Sequence, residues 1–254
     1  MSKRLEGKVA LITGTGGGQG RAAAVKFAEE GALVIGCDLF EDGNRETVAA
    51  VEAAGGTMTG MAPVDLSDPD AAKAWVEEAA AVHGRVDVVY NNASSPRFVL
   101  MPEMSVDDWQ YGIRNELDLV FYVTKFAWPY LAERGGVIVN TASISAHVAT
   151  PDVGMASHCA AKGGVLALTR AFAADGAKHG IRAVSISPGP IKTPGAIEQY
   201  FHIPGAEEAV IAQLLTDRVG KSEDIAALAA FVASDEAEFM TGVDVLMDGG
   251  MTAL

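Results

Sequence analysis

Cationic side chains are scarce in this sequence. Its 254 residues carry 19 Lys and Arg against 33 Asp and Glu, a formal net charge of −14 at neutral pH. The basic footprint with which nucleic-acid binders neutralise phosphate is therefore missing. So are the polybasic and lipid-facing features of a peripheral membrane protein. Cysteine is equally sparse: Cys37 and Cys159 stand alone, which excludes a disulfide framework and the paired spacings of zinc sites, and no bound metal is expected. No apolar run is long enough to cross a bilayer. The first residues lead straight into a strand-like segment at Lys8, so no secretory leader is expected. What these absences leave is a soluble globular protein of a reducing compartment, with the cytoplasm as the expected location.

What the chain does have is apolar material, 49% by a broad count, arranged in an alternating rhythm. Strands are expected at Lys8–Thr13, Ala32–Asp38, Thr57–Val64, Val86–Tyr90, Val137–Thr141, Arg182–Ser187 and Val243–Met247. Several are unbroken Val/Ile/Leu runs, as suits strands covered on both faces. Between them fall helical patterns at Arg21–Glu30, Glu46–Ala54, Pro69–His83, Val106–Leu131, Met155–Lys178 and Glu223–Ala233. Asp68 before Pro69 reads as an N-cap with proline in the first turn, and Ser222 before Glu223 and Asp224 reads as another cap. Strand and helix alternating in this way predict an α/β fold. It would be a Rossmann-type doubly wound parallel sheet of about seven strands, with helices on both faces. No linker marks a second domain, so residues 1–254 are read as one. Pro194–Asp217, with Gly195, Pro204 and Gly205 and a loose helical pattern, breaks the rhythm and reads as a mobile substrate flap.

The first strand runs into Gly14-Thr15-Gly16-Gly17-Gly18-Gln19-Gly20, and a helix follows. A dinucleotide pyrophosphate needs close backbone approach and free helix N–H groups at such a turn; glycines allow the first and the helix start supplies the second. A glycine-rich turn alone is equally a tight turn. Here, however, the second strand ends in Asp38, 18 positions past Gly20, near the spacing at which an acid accepts ribose hydroxyls. A carboxylate there repels a 2′-phosphate, and neither Leu39 nor Phe40 offers a cation, so NAD is expected rather than NADP. Arg21 is expected on the helix surface rather than turned to the ribose.

With these features in hand, the sequence resembles the short-chain dehydrogenase/reductase family over nearly its whole length. Thr13-Gly14-x-x-x-Gly18-x-Gly20 matches that family's glycine motif, with Gln19 where an aliphatic residue is usual. Asp65-Leu66 looks like the adenine-contacting pair. Asn91-Asn92-Ala93 resembles the motif after the fourth strand, with Ser94 in place of glycine. Pro188 to Thr193 looks like the segment that meets the nicotinamide, and Thr241-Gly242 through Asp248-Gly249-Gly250 resembles the last strand. The resemblance implies cofactor contacts at Gly14, Gly18, Gln19, Gly20, Asp38, Leu39, Asp65, Leu66, Asn92, Ala93, Lys162, Pro188, Ile191 and Thr193.

The same resemblance implies an Asn–Ser–Tyr–Lys catalytic tetrad, and here the sequence departs. Lys162 fits the lysine, but four residues earlier, where tyrosine belongs, stands His158. Ser143 aligns with the serine, 15 residues before His158 and about two more than expected; Ser145 is a less favoured alternative. The asparagine position falls on Glu116. Independently, Trp109, Ile113, Glu116 and Val120 are spaced 4, 3 and 4 and would share a helix face, which is otherwise apolar and would turn the acid inward. A lone histidine is more often a packed or surface residue, but His158 and Lys162 at i and i+4 share a face. A neutral imidazole is already a base near neutrality, whereas phenol must be shifted strongly. The catalytic set is therefore Ser143, His158, Lys162 and Glu116. His147 is expected to be solvated.

Two functions remain open on these residues. One is an NAD-dependent oxidoreductase interconverting a secondary alcohol and a ketone, with His158 as the proton-transfer group. The other is an NAD-binding protein of the same type with a lyase or isomerase step, or with no catalysis. The resemblance further implies a homotetramer built through Val106–Leu131 and Met155–Lys178.

Overall fold

The computed structural model describes residues 3–253. Seven parallel strands form one sheet in the order β3-β2-β1-β4-β5-β6-β7: β1 Val9–Thr13, β2 Leu33–Cys37, β3 Thr57–Met61, β4 Val88–Asn91, β5 Gly136–Thr141, β6 Ile181–Pro188 and β7 Val243–Met247. The order of the strands therefore reverses between β1 and β4, and the crevice outside their carboxyl ends is where ligands of such sheets bind. The central strands β1, β4 and β5 are buried almost throughout, because each face of the sheet carries its own apolar layer. One core joins Leu11, Ile35, Trp75, Val89, Val123 and Ile138. The other joins Ile12, Phe27, Tyr90, Val139, Ile186 and Ile225. Adjacent residues of one strand, such as Leu11 and Ile12, fall in opposite cores, as the twofold strand period requires.

The helices are α1 Gly18–Glu29, α2 Glu41–Ala53, α3 Pro69–His83, α4 Val106–Ile113, α5 Leu119–Arg134, α6 Ala156–Gly176, α7 Pro194–Ala196, α8 Ala206–Ile211 and α9 Ser222–Ala233. Helix α3 begins and ends as its sequence dictates. The Asp68 carboxylate accepts the Asp70 N–H at 2.9 Å, Pro69 occupies the first turn, and Gly84 at φ 70° closes the far end.

Three expectations need correction. Ser222 is inside α9 rather than its cap; Lys221 holds that place, and the Asp224 carboxylate accepts its N–H at 2.8 Å. Helix α2 starts at Glu41, not Glu46, because Gly43 does not break it. That glycine is needed where α2 crosses the glycine-rich turn, since a Cβ there would lie 2.3 Å from the Gly16 carbonyl oxygen. The long helix read over Val106–Leu131 is two helices joined by a π-helical turn, Arg114–Asp118, and continues to Arg134. The turn breaks the face inferred from spacing: Glu116 and Val120 are buried, but Trp109 on α4 is exposed. Pro194–Asp217 carries the loose helical pattern read from its sequence: α7, a second π-helical turn at Ile197–Phe201, and α8. Its ends are tied down by an ion pair between Lys192 and Glu207 and by the Leu215 N–H on the Gly249 carbonyl at 2.8 Å.

Candidate active site

The crevice between β1 and β4 has a cradle on one side. Gly14 leaves β1 at φ 74°, and a Cβ on Gly20 would sit 1.9 Å from the Gly14 carbonyl oxygen. Side chains at these positions would push strand and helix apart, which is the physical reason for glycine there. The start of α1 has no side-chain cap and no acid in its first turn, so its N–H groups and partial positive charge are free for an anion. Across the turn, a Cβ on Gly18 would touch Thr193 at 3.4 Å, so the loop after β6 roofs the cradle. The Gln19 Oε1 atom is buried without a hydrogen-bond partner. An uncapped helix start, a bare glycine turn and an orphaned amide oxygen fit a dinucleotide.

Asp38 stands at the end of β2. Its Oδ2 accepts the Gly16 N–H at 2.6 Å and its Oδ1 accepts the Phe40 N–H at 2.9 Å. Both oxygens keep lone pairs for further donors. Leu39 is about half exposed beside it. Arg21 is not simply a surface residue. Its Nε donates to the Thr47 hydroxyl at 2.9 Å and its guanidinium also reaches the Gly16 and Gly43 carbonyls and the Glu46 carboxylate. These bonds brace the glycine turn against α2 and leave Arg21 committed to the protein.

The remaining cofactor candidates divide by burial. Asn92 and Ala93 donate their backbone N–H groups to the Thr13 hydroxyl, both at 2.9 Å, and the Asn92 amide donates to the Thr13 carbonyl at 3.0 Å. They lock the end of β4 to the end of β1. Asp65 is exposed and accepts the Ser67 N–H. The Leu66 side chain is in the core, so its backbone is the part open to a ligand. Pro188 ends β6 and Ile191 is buried after it. Below them, Asn91 joins Thr124 and Asn140, and Asn140 donates on to Thr169, fastening β4 and β5 to the helices that carry the next group.

That group is a buried cluster of charge. Glu116, fully buried in the π-helical turn, faces His158 and Lys162 on α6. Small residues permit the approach: a Cβ on Gly112 would lie 2.7 Å from Ser157, and one on Gly164 would lie 2.8 Å from Leu117. His158 Nδ1 is 2.9 and 3.0 Å from the two Glu116 oxygens. Burial alone would raise the Glu116 carboxyl above its ordinary range, but the bond from His158, the Lys162 charge and the bond from Ser94 together bring it below. An ionised carboxylate only accepts, so Nδ1 carries the proton and donates it. The hydrogen bonds of the His158 ring among the described residues are all made by Nδ1, which leaves Nε2 as the open nitrogen. The Phe98 ring stands edge-on to the imidazole, 5.5 Å between centroids.

Lys162 is buried; its ammonium donates to the Thr141 carbonyl at 3.1 Å and lies 3.8 Å from Glu116 Oε1. Burial lowers its pKa, and the Glu116 charge opposes the shift. Ser143 follows β5, accepts the Ser145 N–H and shares a hydrogen bond with the Ser145 hydroxyl, both at 3.1 Å. The two serines are thus one hydrogen-bonded pair. The structure brings Glu116, His158 and Lys162 into one cluster, while the hydrogen bonds of Ser143 stay with Ser145. His147 is not merely solvated: its Nε2 lies 2.8 Å from an Asp244 oxygen. No group of three or more potential metal ligands occurs among the described residues, and none of their helices is long and apolar enough to cross a membrane.

One member of the cluster escaped the sequence reading. Ser94 Oγ donates to Glu116 Oε1 at 2.7 Å. Its signal was present as a serine where the resembling motif has glycine, but nothing along the chain said that positions 94, 116 and 158 converge.

Comparison with known proteins agrees with this geometry. A family model described as Enoyl-(Acyl carrier protein) reductase matches residues 14–252. Meso-2,3-butanediol dehydrogenase of Serratia marcescens is 38% identical over 98% of this chain and 96% of its own length. Cyclohexanol dehydrogenase of an Acinetobacter strain is 36% identical over 100% of this chain and 98% of its own. Among solved structures, a 7α-hydroxysteroid dehydrogenase complexed with NADH and 7-oxo glycochenodeoxycholic acid superimposes with a TM-score of 0.92. It is 28% identical and covers 98% of this chain and 96% of its own.

Proposed function

The chain belongs to the short-chain dehydrogenase/reductase family, and within it we propose an NAD-dependent oxidoreductase that interconverts a secondary alcohol and a ketone. The relatives support alcohol–ketone oxidoreduction in general. The observation that carries the finer reading is the hydrogen bond from His158 Nδ1 to the ionised Glu116, which leaves Nε2 as an open base.

NAD, when bound, supplies the hydride acceptor, and Gly14, Gly18, Gln19, Gly20, Asp38, Asn92, Ala93 and Thr193 would hold it. Asp38 would accept ribose hydroxyls and reject a 2′-phosphate. His158 Nε2 takes the proton of the substrate hydroxyl as the carbonyl forms and returns it in the reverse direction. Glu116 fixes the tautomer and stabilises the imidazolium, the part an acid plays behind histidine in hydrolytic triads. Ser143 donates to the substrate oxygen, where charge develops. Lys162 would hold the ribose. Imidazole is shorter than phenol, so the substrate sits deeper than beside a tyrosine, or one water bridges.

The assembly we propose is a homotetramer, with Phe121 on α5, exposed in the single chain, within the buried contact. The proposed compartment is the cytoplasm, where Cys37 and Cys159, both free thiols, stay reduced. The test is NADH formation at 340 nm with a panel of secondary alcohols, including vicinal diols and cycloalkanols. Turnover with NAD that His158→Phe removes supports the proposal. Absence of any NADH with the whole panel, together with tight NAD binding, favours the non-redox reading.

A further inference from the structure

We propose that Ser94 is the positioning residue of the proton-transfer pair, and that Ser94, Glu116 and His158 work as one unit. The inference rests on the reading of His158 as the proton carrier and adds to it a residue that acts only through Glu116.

The geometry carries the argument. Three separate elements meet at one carboxylate: the loop after β4 brings Ser94, the π-helical turn brings Glu116, and α6 brings His158 and Lys162. Glu116 is fully buried, so bulk water cannot serve its oxygens. An ionised carboxylate offers about four acceptor sites. Among the described residues, its hydrogen bonds are from Ser94 Oγ to Oε1 at 2.7 Å and from His158 Nδ1 to both oxygens. Lys162 Nζ, at 3.8 Å, contributes charge without a hydrogen bond. Cys159, next to His158, also feels the Glu116 charge, and the Phe98 ring is apolar cover. Ser94 and His158 therefore share Oε1.

Two consequences follow. The serine hydroxyl pins the rotation of the carboxylate, so that both oxygens face Nδ1. It also draws off part of the negative charge that the imidazole would otherwise feel. Without that hydroxyl, more of the charge falls on His158 and the imidazolium is stabilised. Each of the three residues departs from the motif that the family shows at its position. The three are chemically matched: a buried glutamate needs donors, and histidine and serine supply them.

Histidine side-chain NMR reads this coupling without a substrate. The full chain, with and without NAD, is titrated, and the His158 signal among the five histidines is identified by its loss in His158→Phe. Ser94→Ala and Ser94→Gly are expected to raise the His158 titration midpoint by about half a unit, roughly a threefold gain in proton affinity. Ser94→Thr, which keeps the hydroxyl, should restore the wild-type midpoint to within about 0.2 unit. An unchanged or lowered midpoint in both hydroxyl-free variants overturns the proposal. So does a raised midpoint that Ser94→Thr fails to correct. Turnover of His158→Phe decides the underlying reading separately: the coupling can fail while histidine remains the proton carrier, and it can hold in a site that does no redox chemistry.

Discussion

The two sides of the crevice obey the family pattern to very different degrees. On the β1–α1 side nearly every position is occupied as the motif asks, and the reason is steric: a Cβ on Gly20 has only 1.9 Å to the Gly14 carbonyl oxygen. Backbone that must touch backbone tolerates no substitution. On the other side Ser94, Glu116 and His158 differ from the residues the resemblance implies, and the function proposed for them is to hold and pass a proton. More than one set of side chains can do that, provided that donors and acceptors still match. Geometry constrains the cradle residue by residue, whereas chemistry constrains the catalytic corner only as a set.

In the proposed function Lys162 serves both sides, so its replacement sharpens the contrast most. Lys162→Ala is expected to lower turnover by about 10²-fold or more and to weaken NADH binding as well, with the Glu116 charge left uncompensated. Steady-state rates and a fluorescence titration of NADH separate the two losses; unchanged affinity would confine the lysine to the catalytic corner.

The serine pair comes next. Ser143→Ala is expected to lower kcat by about 10²-fold through loss of a donor to the reacting oxygen, with NADH affinity preserved, and Ser145→Ala to do less. The reverse ranking in kcat would move the donor role to Ser145. Asp38→Ala acts on the other side alone. It is expected to weaken NADH and narrow the preference over NADPH by about tenfold, the worth of a charge-assisted hydrogen bond. Equal affinity of the wild-type chain for both cofactors would refute the specificity argument.

The smallest effect is on acid stability. Glu116 titrates below its ordinary value of 4.5 in the folded chain, so its contribution is complete above that value and fades as pH falls through the lower folded value. Glu116→Gln removes this dependence. The melting temperature of wild type should drop more steeply than that of the variant below about pH 4.5; parallel curves would mean that the carboxylate is not preferentially ionised when folded.

The fold was legible because several strands are unbroken apolar runs and helical patterns alternate with them in a regular rhythm. The cradle was legible because a steric rule concentrates glycines in seven residues. The catalytic corner was legible only position by position. Glu116 was expected to point inward on a helix face with Trp109, yet Trp109 is exposed, and the π-helical turn between α4 and α5 is what turns the acid toward α6. An inserted residue in a helical turn leaves no periodic trace in a sequence. Ser94 was visible as a departure but silent about its partner, since a contact across 22 positions depends on where the loop after β4 lies.

The claim on which the account turns is that His158 Nε2 moves the proton. The direct measurement is the pH dependence of NAD reduction with the best alcohol of the panel, for wild type and His158→Phe, alongside NADH affinity. Wild-type oxidation is expected to rise with pH through a single limb that His158→Phe removes. His158→Phe should lose roughly 10²–10⁴-fold in kcat while binding NADH within about twofold of wild type. Turnover that survives in His158→Phe with the same pH limb would contradict it.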